Sequence, residues 1–270
     1  MQVNYLGFPG SMGCDYMDYI LADATVIPED EFGHYAEKVV WLPDSYFPND
    51  NTLAVGRTPT TRADMGLPQQ AVVFACFNSN HKITPDVFGV WMRLLLSVPA
   101  SVLWLLKSND EAQRALRAEA LGRGVDPQRI VWAPRMPLAD HLARHRHADL
   151  FLDTFHYNAH TTCCDALWGG LPVLTLAGAS FPSRVGASLL AAAGLPELVT
   201  RSVPAYERLA LELASSPIRL AELRERLQRQ RATWPLFDSE HFARRIESAF
   251  DAMWARHVQG LAPDHIRIAR

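Results

Sequence analysis

A chain of 270 residues, 49% hydrophobic and 20% charged, carries enough apolar side chain for one large globular unit or one and a half smaller ones. Its net charge of −3 gives no basic footprint for nucleic acid and no polybasic patch for a membrane surface. No apolar run reaches the ~18 residues of a membrane span, and no basic-then-apolar leader opens the chain, so neither class of partner is expected.

Gln2 to Leu6 reads as a strand running into the Gly/Pro turn "GFPGSMG". So abrupt an opening is expected of a chain that starts inside a larger fold. Residues 24–70 read as irregular, with a linker over 49–66. From residue 70 a strand-helix alternation sets in. "AVVFACF" (71–77) is a continuous apolar run, the mark of a strand buried on both faces. A helix follows over 84–99, with Thr84 as N-cap and Pro85 at the first helical position. Strands are expected at 101–107, 129–133, 148–155 and 171–178. Helices are expected at 109–124, 137–147, 161–170 and 183–194. After residue 200 the chain turns helical, at about 203–214, 217–231 and 238–257.

This order predicts an α/β fold with a doubly wound, parallel, Rossmann-like sheet and extra C-terminal helices. Ligands of such sheets sit past the carboxyl ends of the strands. The informative loops are therefore 78–83, 134–137, 156–160 and 179–182. The four cysteines, Cys14, Cys76, Cys163 and Cys164, suit a reduced, cytoplasmic setting, because adjacent cysteines make poor disulfide partners.

The densest cluster is "NAHTTCCDALW" (158–168), at a strand-to-helix joint. The free amides and the dipole of a helix start favour an anion, and Thr161 and Thr162 would add hydroxyls. Helix capping by Asn158 or Thr161 explains the same residues equally well. Cys163 and Cys164 diverge by ~100° on a helix, so a metal held by both is disfavoured. His141 and His145 are spaced to clamp a metal, but no HExxH-type carboxylate accompanies them, and an exposed histidine-rich face is the simpler expectation. Neither a G-x-S-x-G elbow nor a G-x-G-x-x-G fingerprint is present. Lys82, in the loop after the first strand, can aim an ammonium at the crevice beside the 160–162 turn. Met136 ends the third strand, and His141 and Arg144, at i,i+3, share a helix face suited to a nucleobase.

The segments "LDTFHYNAHTTCCDALWGGLPVLTLAGASFPSRVGASLL", "VNYLGFPGSMGCDYMDYILAD", "FNSNHKITPDVFGVWMRLLLSVPASVLWLL" and "LFDSEHFARRIESAFDAMW" together resemble the C-terminal catalytic lobe of the O-GlcNAc transferase family, SPINDLY-type proteins included. The resemblance covers nearly the whole chain. It implies a GT-B glycosyltransferase, with two Rossmann-like lobes across a cleft, that moves a sugar with inversion and without an obligatory metal or cofactor. UDP-GlcNAc is the expected donor, and Ser/Thr hydroxyls of proteins are the expected acceptors. Lys82 matches the lysine that contacts the donor diphosphate and steadies the leaving group. His160 matches the histidine beside diphosphate and sugar, and Thr161 and Thr162 the diphosphate-binding pair. Asp165 matches the carboxylate that binds the ribose. His141 and Arg144 match the uracil-contacting pair, Met136 a backbone contact to the base, and Gly7 a turn lining the sugar pocket.

Three positions depart from the family pattern. Ser79 stands where animal relatives have Gln, Leu138 replaces a Lys, and Ala159 replaces a Gly. Related branches use GDP-fucose or UDP-glucose, and a non-catalytic nucleotide-sugar-binding module is the alternative. The implied domains are the tail of an N-terminal lobe at 1–23, an irregular region at 24–69, the nucleotide-sugar lobe at 70–235, and a returning helix at 236–270. The polypeptide acceptor would be held by an upstream lobe and its tetratricopeptide repeats, where the catalytic base would also lie. Without that lobe the last helix would expose a stripe of Phe242, Ile246, Phe250 and Met253.

Overall fold

The computed structural model describes residues 1–231 and 233–269. Ala232 and Arg270, which fall within expected spans, lie outside the described residues. The chain forms two parallel sheets. The larger is built from β4 (Val72–Cys76), β5 (Ser101–Leu106), β6 (Ile130–Ala133), β7 (Leu150–Leu152), β8 (Val173–Leu176) and β9 (Val199–Thr200). Its order, β6-β5-β4-β7-β8-β9, is the doubly wound order in which the chain starts in the middle, runs to one edge, then returns to build the other. The order reverses between β4 and β7, and the loops after these two strands flank the resulting crevice.

The connecting helices are α1 (Pro85–Ser97), α2 (Asp110–Gly122), α3 (Leu138–Arg144), α4 (Thr161–Trp168) and α5 (Val185–Ala192), followed by α6 (Val203–Ala214), α7 (Pro217–Gln230) and α8 (Ser239–Val258). Their starts follow local chemistry. Pro85 opens α1 where a missing N–H costs nothing. Asn109 caps α2 by accepting from the Ala112 amide at 2.8 Å. Buried apolar residues of β4, β5, β7 and β8 fill one core that α1, α4 and α5 cover.

The smaller sheet corrects the sequence-based expectation. Residues 24–69 were expected to be irregular, but Lys38–Leu42 forms a central strand, β3. Residues 3–23 supply not one strand but two, β1 (Val3–Asn4) and β2 (Tyr19–Asp23), and β10 (Ile266–Arg267) completes the order β1-β2-β3-β10. The period of two explains its burial. Ile20, Ala22, Val39 and Trp41 point into the main core, whereas Tyr19, Leu21, Val40 and Leu42 meet α8.

The α8 stripe is therefore covered within this chain. Phe242, Ile246, Ala249 and Met253 pack on the small sheet. Phe250, one residue past Ala249 and so ~100° further round the helix, stays exposed with Trp254 and Val258. Met253 is fully buried. Met253→Ala is expected to lower the unfolding free energy by about 2–4 kcal/mol, checked by chemical denaturation.

Asp23 ties the two sheets together. Its carboxylate accepts from Ser188 Oγ of α5 at 2.6 Å, Tyr46 N at 3.0 Å, Val26 N at 3.0 Å and Thr25 N at 2.9 Å. Burial raises its pKa, and these donors oppose that rise.

Candidate functional site

The crevice between β4 and β7 holds a connected set of polar groups. Asp153, the first residue after β7, is fully buried. Its Oδ1 accepts from Ala159 N at 2.6 Å, Thr154 N at 2.8 Å and Asn78 Nδ2 at 3.2 Å, and its Oδ2 from Thr175 Oγ1 at 2.7 Å. Burial pushes its pKa up to about 6, and the bonds from Thr175, Ala159 and Thr154 and the charge of Lys82 oppose that rise. One carboxylate thereby fixes the shape of the whole 153–159 loop. Ala159, in place of the family Gly, buries its methyl and lends its amide to this network.

That loop meets Lys82. The Lys82 ammonium donates to Asn158 O at 2.9 Å and lies 4.0 Å from the centre of the Tyr157 ring. Burial lowers its pKa, and the Asp153 carboxylate acts against that. The Tyr157 ring also meets the His160 imidazole, stacked at 4.7 Å with the planes 25° apart. Burial, with Lys82 nearby, lowers the His160 pKa to about 4, so the imidazole is neutral at pH 7. Its Nε2 lies 3.4 Å from Pro182 O. Lys82 and His160 are thus brought together through a tyrosine that local sequence spacing did not single out.

His160 is the N-cap of α4, and its side chain makes no capping bond. Neither Asn158 nor Thr161 caps the helix. Asn158 is buried and serves the loop, donating to Thr154 O at 2.7 Å. Thr161 and Thr162 occupy the first helical positions, whose amides have no intrahelical partner. The two hydroxyls differ. Thr162 Oγ1 donates to Asn78 Oδ1, leaving its amide as the donor for an anion. Thr161 is exposed, and its hydroxyl has no partner among the described residues. Ser79 is exposed at the start of the turn 80–82 that presents Lys82. The cysteines are packing residues: Cys163 and Cys164 are buried and free, and burial raises both thiol pKa values.

Asp165, one turn into α4, lies at the foot of a cavity of about 300 Å³ that Thr161, Leu6, Phe47, Asn49 and Trp168 also line. Burial raises its pKa to about 6. His141 Nε2 is 3.7 Å from its Oδ2. Burial, then Arg144, lowers the His141 pKa to about 4, so this is no ion pair at neutral pH. Gly7 sits beside Leu6, whose backbone adopts φ 63°, a region that non-glycine residues rarely occupy. The Gly7 amide closes this turn onto Tyr5 O at 2.8 Å. The turn is backed by Glu37, which accepts from Met12 N at 2.7 Å and Ser11 Oγ at 2.6 Å.

The third loop departs from expectation. His141 and Arg144 do not share an exposed face. Arg144 is 1% exposed, its guanidinium 4.4 Å over the Phe77 ring and donating to Pro134 O at 2.6 Å. Spacing places residues on a common face but not on the solvent side, and here the face turns inward. His145 and His147 are buried too, so the expected exposed histidine face is absent. His145 Nδ1 is 3.2 Å from Leu142 O, and its ring meets the His141 ring edge-on at 4.9 Å. Arg144 instead props the 134–137 loop, where Met136 is half-buried.

A doubly wound sheet facing a second parallel sheet, with a cation and a helix start at its switch point, is the donor-side architecture of a GT-B glycosyltransferase. The model for "Glycosyl transferase family 41" matches residues 1–56 and 51–246, and the chain belongs to that family. It is 36% identical over 275 residues to the Arabidopsis thaliana protein named "Probable UDP-N-acetylglucosamine--peptide N-acetylglucosaminyltransferase SEC", covering 99% of this chain and 28% of that one. It is 37% identical over 207 residues to the UDP-N-acetylglucosamine--peptide N-acetylglucosaminyltransferase of Caenorhabditis elegans, covering 77% of this chain and 18% of that one. A lysine-to-methionine mutant of the Thermobaculum terrenum O-GlcNAc transferase superposes with a TM-score of 0.87 at 34% identity, over 96% of this chain and 49% of that chain. The chain thus spans about 28% of the length of the Arabidopsis relative. No helix among the described residues is long and apolar enough to cross a membrane.

Proposed function

We propose that this chain is the donor-binding part of a protein O-GlcNAc transferase-like glycosyltransferase, cytoplasmic, that moves GlcNAc from UDP-GlcNAc to Ser/Thr hydroxyls with inversion. The observation that carries the proposal is the convergence of Lys82, His160 and the free α4 amides at the switch point. In the reaction the acceptor oxygen bonds to the anomeric carbon as the bond from that carbon to the diphosphate oxygen breaks. The leaving UDP takes the electron pair. Lys82 and the amides of Thr161 and Thr162 neutralise that growing charge without reorganising. His160 is neutral and stands beside sugar and diphosphate. With a pKa of about 4 it is a weak base, and a stronger one has to take the acceptor proton. That base, and the grip on the polypeptide, are assigned to a lobe and helical repeats preceding this region.

Calorimetric titration of the chain with UDP and UDP-GlcNAc tests the donor site, with GDP-fucose and UDP-glucose as competing donors. Micromolar binding of the uridine ligands is expected. Failure to bind any of the four refutes the assignment. Because Lys82 and the helix start supply the positive charge, no metal is required. EDTA is expected to leave binding unchanged in the same titration.

Asp165 accepts from the ribose hydroxyls in this scheme, which needs its ionised form. UDP-GlcNAc affinity is therefore expected to fall about three- to tenfold as the pH drops from 7.5 to 5, through the Asp165 pKa of about 6. The donor diphosphate does not titrate over that range. Titrations at both pH values check this, and Asp165→Asn should reduce the dependence, leaving the part that belongs to Asp153, whose pKa of about 6 falls in the same window.

A further inference from the structure

The Tyr157 ring touches both groups assigned to the chemistry and is held by neither the loop nor its own hydroxyl. The Lys82 ammonium is 4.0 Å from its centre, and the His160 imidazole stacks at 4.7 Å. The loop around it is pinned by other means. Thr154 Oγ1 donates to Tyr157 O at 2.6 Å, Asn78 Nδ2 donates to Thr154 Oγ1 at 2.9 Å, and Asn158 Nδ2 donates to Thr154 O at 2.7 Å. None of these bonds uses the Tyr157 side chain. The phenol oxygen has no hydrogen-bond partner among the described residues.

An ammonium has three N–H donors and no acceptor. One donor of Lys82 is committed to Asn158 O. A ring face satisfies a second direction electrostatically without consuming a ligand's acceptor. The remaining direction is left for an anion at the α4 start. Without the ring, a four-carbon stem lets the ammonium swing among several rotamers. The groups facing the ammonium are Asp153, Cys76, His160, the Asn158 carbonyl and the Tyr157 ring. Tyr157 alone among them also orients His160 by stacking.

We propose that Tyr157 is a positioning residue whose ring clamps Lys82 and His160 together toward a nucleoside diphosphate. The proposal rests on the donor-site reading above. Tyr157→Phe keeps the ring and is expected to bind UDP as the native chain does. Tyr157→Leu removes it and is expected to weaken UDP binding about fivefold. On a Lys82→Ala background the same change is expected to cost less than in the native chain, because only the contact with His160 is left to lose. Unchanged UDP affinity in Tyr157→Leu, or losses that simply multiply in the double variant, would overturn the proposal. Tyr157→Ser is the second variant should leucine disturb the fold.

A nucleotide-free measurement separates this proposal from the donor assignment. NMR titration of the Lys82 ammonium should show its ammonium-to-amine equilibrium moved about fivefold toward the amine in Tyr157→Leu and unmoved in Tyr157→Phe. If UDP fails to bind the native chain but this shift appears, the clamp stands and the donor assignment falls. If UDP binds and the shift is absent, the clamp falls and the donor assignment stands.

Discussion

Lys82→Ala is expected to cut sugar transfer by about 10²–10³ while moving stability by no more than about 1 kcal/mol. The asymmetry follows from where the ammonium sits. In the resting protein it makes one hydrogen bond, to Asn158 O, and lies over one ring. Burial opposes its charge, so removing it relieves a desolvation cost as well as losing a contact. In the proposed transfer the same ammonium would face charge that grows as the diphosphate leaves. UDP affinity measured by calorimetry, transfer to a peptide measured by mass spectrometry, and a thermal melt together check the expectation. Equal transfer by the variant and the native protein would remove Lys82 from the chemistry.

Asp153→Ala is expected to be the most damaging single change to the fold, lowering the unfolding free energy by about 3–5 kcal/mol. At this chain length that is a fall of roughly 10 °C in melting temperature. The carboxylate accepts four hydrogen bonds in a fully buried position. Alanine would leave two buried backbone amides and a hydroxyl without this acceptor, and Asn78 Nδ2 with only its bond to Thr154 Oγ1. The effect would also reach the site, because Ala159 N and Asn78 are the bonds that place His160 and Thr162. Asp153→Asn keeps the size and one acceptor oxygen, so it should lie between native and alanine. Differential scanning calorimetry of the three proteins checks the order.

Much of the larger sheet was legible because β4 to β8 are short apolar runs, each followed by a helical stretch, whereas β9, two residues long, was not. Lys82 and the 160–162 turn were legible for the same reason, since a helix start and a loop after a strand are local features. The small sheet was not. "KVVWL" (38–42) is only five residues long, and its two faces are covered by α8 and by the main core. No neighbour in sequence announces either partner. Arg144 failed differently. Its spacing from His141 was read correctly, but whether that face meets solvent depends on Phe77 and Pro134, in other loops. Tyr157 and Asn78 carry no motif of their own. Their roles come from distances between segments some eighty residues apart, such as the bond from Thr162 to Asn78.

The strand that closes the small sheet has a kinetic consequence. The amide of Val39 donates to His265 Nδ1 at 2.9 Å, across 226 positions of sequence. Ile266 pairs with Val40 beside it. Such a contact closes a very long loop, whose entropy must be met before the strand contributes anything. During synthesis, β3 therefore waits as an open edge until nearly the whole region has left the ribosome. In pulse-labelled refolding, amides of 38–42 should gain protection from exchange after those of 72–76. Nascent chains that stop short of residue 265 should be the ones that chaperones and proteases find.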